Sequence, residues 1–155
     1  MFQGEEEADE RTLSIEALGL PTDTAYVGYD FWEKEFIQPF EDERAFSLRP
    51  TSCKVISLHP VLDRPQVVST SRHITQGAVE LEDLAWDPSS RTLAGTSELV
   101  ADDPYEIRLH VPSGYRLRDV QASDGASAEI GQTGEFSTVT VSSPESKTVN
   151  WRIQF

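Results

Sequence analysis

Residues 69–77 read STSRHITQG, placing a histidine, an arginine and four hydroxyl groups within one short stretch. A serine beside a histidine suggests a nucleophile and its general base, but such a pair needs a third group to orient the imidazole. No acid in the local sequence fills that role. Arg72 disfavours a protonated His73, and on adjacent strand positions the two side chains would point to opposite faces. The competing expectation is a turn whose hydroxyls tie down their own backbone. The residue types favour that turn, with His73 as a loop histidine rather than a catalyst.

Three acidic clusters invite a second chemistry: EDE at 41–43, ELED at 80–83 and ADDPYE at 101–106. A glycosidase pair must face itself across a cleft at about 5 to 10 Å, a separation that spacing along a chain does not encode. The ligand spacing of a helix-loop-helix calcium site is absent, and solvated loops are the expectation for all three. There is no histidine pair at metal spacing, no glycine-rich phosphate loop and no nucleophile elbow. Neither a metal nor a cofactor is predicted. Cys53 is the single cysteine, which excludes an intrachain disulfide and a cysteine-based zinc site. Its setting in CKVISL predicts a buried small side chain rather than a nucleophile.

Aromatic residues offer a third chemistry, stacking on sugar rings. Trp32, Trp86, Trp151, Tyr26, Tyr29 and Tyr115 are the candidates. Trp151 shares a strand phase with Val149, Ile153 and Phe155, which assigns it to the core. Phe31 and Trp32 lie in YDFW, apolar on both phases, so one face is expected to meet another domain. Trp86 closes a strand before DPSS.

With 27 acidic against 13 basic residues and a net charge of −14, a nucleic-acid partner is not expected, since phosphate backbones require a basic face. No apolar run approaches the roughly 20 residues of a membrane span. Only Lys34, Lys54 and Lys147 are lysines. That composition is similar to the surfaces of salt-adapted proteins, but an ordinary acidic domain rich in arginine is the favoured reading.

These residues must be positioned by strands. In YEIRLHV, Tyr105, Ile107, Leu109 and Val111 point one way and Glu106, Arg108 and His110 the other; VNWRIQF repeats the pattern. Alternation of period two marks strands with one wet and one buried face. CKVISL, apolar on both phases, reads as a central strand. Turn chemistry punctuates the chain at HPVLDRP, WDPSS, DDP, PSG, SDGAS and GQTG. The expected fold is an all-β antiparallel β-sandwich of Greek-key type with roughly 8–11 strands. It would occupy residues 25–155, behind a tail or linker at 1–24. The first four residues look like the remnant of an expression tag, and 5–11 read as a frayed charge cluster.

Taken together, ALGL, YVGYDFWEKEF, LRPTSCKVISLHPVLDRPQVVSTSRHITQG, ELEDLAWD, TLAGTSELVADDPYEIRLHVPSGY and VNWRIQF resemble a known domain. It is the C-terminal β-sandwich of bacterial α-galactosidase-like (melibiase-type) glycoside hydrolases. YDFW and PQVVSTSRHITQG are the most specific pieces. The resemblance implies a non-catalytic accessory domain that packs on a separate catalytic (β/α) barrel and supports its cleft. No catalytic residue carries over, because the reacting carboxylates of such enzymes lie on the barrel. Arg72, His73, Trp32, Phe31 and Trp86 are then the candidate contacts to that domain or to ligand. Two rivals stand beside it: a self-sufficient carbohydrate-binding module with coplanar exposed aromatics, and a small enzyme using His73 with a carboxylate.

Overall fold

A computed structural model describes residues 9–155. The expected tag remnant and the first part of the charge cluster lie outside the described residues. The fold is all-β and antiparallel, with thirteen strands among the described residues. The chain groups into two compact units, one ending at Val61 and one over Leu62–Phe155.

The first unit holds a two-stranded sheet of β1 (Asp9–Ser14) and β4 (Glu43–Leu48), paired from Asp9↔Leu48 to Ser14↔Glu43. Residues 9–14 are thus strand rather than tail. The Ile15 N–H donates to the Asp42 carbonyl at 2.8 Å and its side chain is wholly buried, fixing the turn that follows. A second sheet orders β3 (Glu35–Phe40), β2 (Tyr26–Asp30) and β5 (Ile56–Pro60), with β2 in the centre. β2 is buried on both phases. At Gly28 any Cβ would collide with the Ser57 carbonyl of β5, so only glycine lets the strands approach there. CKVISL, expected as a central strand, forms the sheet edge instead, and Cys53 precedes it, exposed. Its apolar phases meet only one neighbouring strand, so half-burial replaces the anticipated full burial.

The second unit is the β-sandwich. One sheet orders β11 (Ser127–Ile130), β12 (Phe136–Ser142), β9 (Tyr105–His110) and β6 (Gln66–Thr70). The other orders β10 (Asp119–Ala122), β13 (Lys147–Gln154), β8 (Thr92–Leu99) and β7 (Leu81–Asp87). Strands three apart in sequence, β6 with β9 and β10 with β13, pair around a hairpin that belongs to the opposite sheet. That is the Greek-key crossing expected of a sandwich. Between the sheets, Leu93, Leu99, Tyr105, Ile107, Leu109, Val139, Val141, Val149, Trp151 and Ile153 form one apolar cluster.

β13 obeys its alternation, with Val149, Trp151 and Ile153 inward and Asn150, Arg152 and Gln154 outward. β9 departs from it. Arg108 and His110, expected on a wet face, are buried. Arg108 satisfies its guanidinium along the sheet, donating to Glu106 Oε1 at 2.7 Å and to the Thr70 carbonyl at 2.9 Å. His110 packs beside the Phe136 ring.

Candidate functional site

The stretch nominated by sequence begins inside β6 and turns through residues 71–80 before β7. Ser69 and Thr70 are wholly buried. The Ser69 hydroxyl donates to Gln76 Oε1 at 2.8 Å and accepts from Arg108 Nη1 at 3.2 Å. The Thr70 hydroxyl donates to Glu80 Oε1. Ser71 exchanges two bonds with β9: its N–H donates to the Glu106 carbonyl at 3.0 Å, and its hydroxyl accepts from the Glu106 N–H at 2.8 Å. Gln76 (φ 55°) and Gly77 (φ 105°) take the left-handed backbone that brings the chain round. Hydroxyls and amide close the corner from within, as the turn reading expects.

Arg72 is paired with Asp103 and lies over the Tyr105 ring at 5.7 Å. His73 is exposed; its carbonyl accepts from the Gln76 N–H at 2.9 Å. No hydrogen bond or ion pair engages the His73 ring among the described residues. The carboxylate that a His73 mechanism needs is not beside it. In the same turn two aliphatic side chains face solvent, Ile74 exposed to 47% and Val79 to 65%. The corner is in this sense inverted: Ser69, Thr70, Gln76 and Glu80 are buried, while the aliphatic Ile74 and Val79 face solvent together with His73 and Thr75.

Glu80 is the residue that sequence reasoning missed. Expected in a solvated loop, it is only 2% exposed, held there by the Thr70 hydroxyl. Its second oxygen, the Tyr105 hydroxyl and Arg72 Nε are buried without a hydrogen-bond partner. Burial pushes the Tyr105 phenol upward; the Ser97 and Thr70 hydroxyls act against that rise without reaching bonding geometry, and the Glu80 charge adds to it. Only the closeness of Thr70 and Glu80 across one turn could have signalled the pair. Glu41, Asp42, Glu43 and Asp102 are exposed as expected, whereas Asp103 pairs with Arg72 and Glu106, half-buried in β9, pairs with Arg108. No three histidine, cysteine, aspartate or glutamate side chains converge among the described residues. In this corner Glu80 and Tyr105 are shut away, and His73 is open but alone.

The aromatic candidates divide. Tyr26, Tyr29 and Trp151 are buried. Trp86 is half-buried, edge-on to Tyr115 at 5.6 Å and tilted on Phe155 at 6.0 Å, so it caps the sandwich core. In the first unit, Phe31 and Trp32 meet edge-on, their planes 80° apart, with Trp32 exposed to 52%. Their turn is braced by buried Asp30, whose Oδ1 accepts from the Trp32 and Glu33 N–H groups at 3.1 and 3.2 Å, while Lys54 pairs with Oδ2 at 2.5 Å. The Phe31–Trp32 and Trp86–Tyr115 pairs are T-shaped and Trp86–Phe155 is tilted by 57°, so the coplanar platform of a stacking sugar site is not formed by them.

No protein family, curated protein or solved structure matches this chain.

Proposed function

We propose that this chain is a non-catalytic accessory β-sandwich of an α-galactosidase-like glycoside hydrolase, docking on a separate catalytic barrel and supporting its cleft. The observation that carries the reading is the inverted corner. A turn that spends its hydroxyls, amide and carboxylate on internal bonds while showing Ile74 and Val79 to solvent suits contact with another protein surface. Its internal bonding fixes the aliphatic pair in place beforehand, which lowers the ordering cost of association. Trp32 on its braced turn is a second preset anchor of the type that dominates interfaces. Arg72, already paired with Asp103, serves the shape of the corner rather than the contact.

The test supplies this chain in trans to the catalytic barrel of a bacterial α-galactosidase expressed without its own C-terminal sandwich. Expected are co-purification of the two, recovered hydrolysis of p-nitrophenyl α-galactoside, and loss of both with Ile74→Asp and Val79→Asp. Hydrolysis by the chain alone, or no association with the barrel, overturns the reading.

A further inference from the structure

The outer face of the sheet β10-β13-β8-β7 carries two open hollows. They adjoin, measure about 390 and 550 Å³ and share Ala94, Gln121 and Arg152, within the size range of small-molecule sites. The strand register explains the hollow. Gln121, Arg152, Ala94 and Ala85 stand side by side across the four strands. Two alanines sit where an exposed sheet surface ordinarily carries β-branched or longer residues, and they lower the floor beside the long Arg152 and Gln121. On one side the next row is Asp119, Gln154, Thr92 and Asp87; on the other, Asn150 stands opposite Thr96.

Two features separate this face from an ordinary wet sheet. Opposite Arg152 stands Ala94, although an acid there would gain a cross-strand pair and the chain has 27 to spend. No hydrogen bond or ion pair engages the Arg152 side chain among the described residues. Around it are planar groups that both donate and accept. Gln121 Nε2 donates to Asp119 at 2.9 Å, which leaves its carbonyl; Asn150 Oδ1 accepts from the Thr96 hydroxyl at 3.0 Å, which leaves its NH₂.

We infer that this groove binds a neutral oligosaccharide. Each sugar hydroxyl donates and accepts, so a ring presents the complement of a floor mixing guanidinium, amide, hydroxyl and carboxylate. Strands about 4.8 Å apart with same-face residues about 6.8 Å apart spread these groups over the span of a pyranose ring. Asp83, Asp87 and Asp119 outnumber Arg152 at the groove, which disfavours an anionic ligand. The site stands on different residues from the docking corner and does not depend on it.

The experiment is a chemical-shift titration of the ¹⁵N-labelled chain with raffinose, mannotriose and xylotriose at up to about 10 mM, and with trigalacturonate as the anionic arm. Expected are saturable shifts in β8, β10 and β13 with a neutral sugar. Arg152→Ala should weaken them by roughly tenfold or more, Ala94→Leu should block them by filling the floor, and Val79→Asp should leave them unchanged. The proposal is overturned if no neutral sugar gives saturable shifts, if only trigalacturonate does, if the shifts map elsewhere, or if Arg152→Ala binds as the parent does.

Discussion

Gly95 and Trp151 stand opposite one another in the β8–β13 ladder, and the indole of Trp151 lies across the space where Gly95 has no side chain. A Cβ built on Gly95 would come within 2.5 Å of indole Cζ2. The ring is held there by a 3.0 Å bond from its Nε1 to the Ser97 hydroxyl, and it is fully buried. A buried glycine on the inward phase of β8 is thus the seat of the largest side chain in the sandwich core.

Gly95→Ala should therefore destabilise the chain by about 1–3 kcal/mol, the usual range for overpacking a core. Trp151→Ala should cost about 3–5 kcal/mol through the cavity it leaves. Urea unfolding followed by far-ultraviolet circular dichroism measures both. Equal stability of Gly95→Ala and parent would mean that the indole does not occupy this position.

The Thr70–Glu80 bond gives a second expectation. Thr70→Val keeps the shape but leaves the buried Glu80 without its donor, a loss of about 1–3 kcal/mol. Thr70→Ser, which restores the hydroxyl, should recover most of it. A valine variant as stable as the serine variant would show that the bond contributes nothing.

His110 makes stability depend on pH. Burial holds its folded-state pKa below the ordinary 6.5, with the Glu135 carboxylate at 3.8 Å acting in the opposite direction. The unfolded chain then takes up the proton first, so stability is full above pH 6.5 and falls as the pH drops toward the folded value. Melting temperatures between pH 8 and pH 5 should decline in the parent more steeply than in His110→Gln.

Asp87 titrates in the acid range. Hydrogen bonds from the Ser89 and Ser90 hydroxyls, at 2.6 and 2.7 Å, and from the Ser89 N–H hold its pKa down at about 2. The folded value lies below the usual 3.8, so the turn it braces is supported above that pH and loosens as pH falls toward 2. Carboxyl carbon shifts should place the Asp87 midpoint near 2 and raise it in Ser90→Ala.

Much of the sandwich was legible because its strands bury one face: VNWRIQF alternates in sequence as it does in space. YEIRLHV carries the same alternation, yet β9 buries Arg108 and His110. Glu106 serves Arg108 from two residues away, but its other partners, Ser69 and Thr70, are distant in sequence, and so is the Phe136 ring on which His110 packs with its Nδ1 unpartnered; no local pattern contains those neighbours. CKVISL misled in the other direction, since its apolar residues sit on a sheet edge. The corner at 69–77 was legible as a turn from its hydroxyls and glycine, but not its inversion, because burial of Glu80 depends on Thr70 arriving beside it. The groove at Arg152 was half legible: alternation puts Arg152, Gln121 and Ala94 outward, while their side-by-side alignment is a fact of register.

The interleaving of the sandwich has a consequence for its divisibility. β6–β9 and β10–β13 each lend their hairpin to the sheet built around the other's outer pair, and the strand ladders that join the two quartets are the β9–β12 and β8–β13 seams. Neither quartet closes alone, since each by itself has two strands per layer and bare ladder edges at both seams. Severed between β9 and β10, the fragments should be insoluble apart and reassociate when made together. The sandwich is in effect a heterodimer of two hands clasped within one polypeptide.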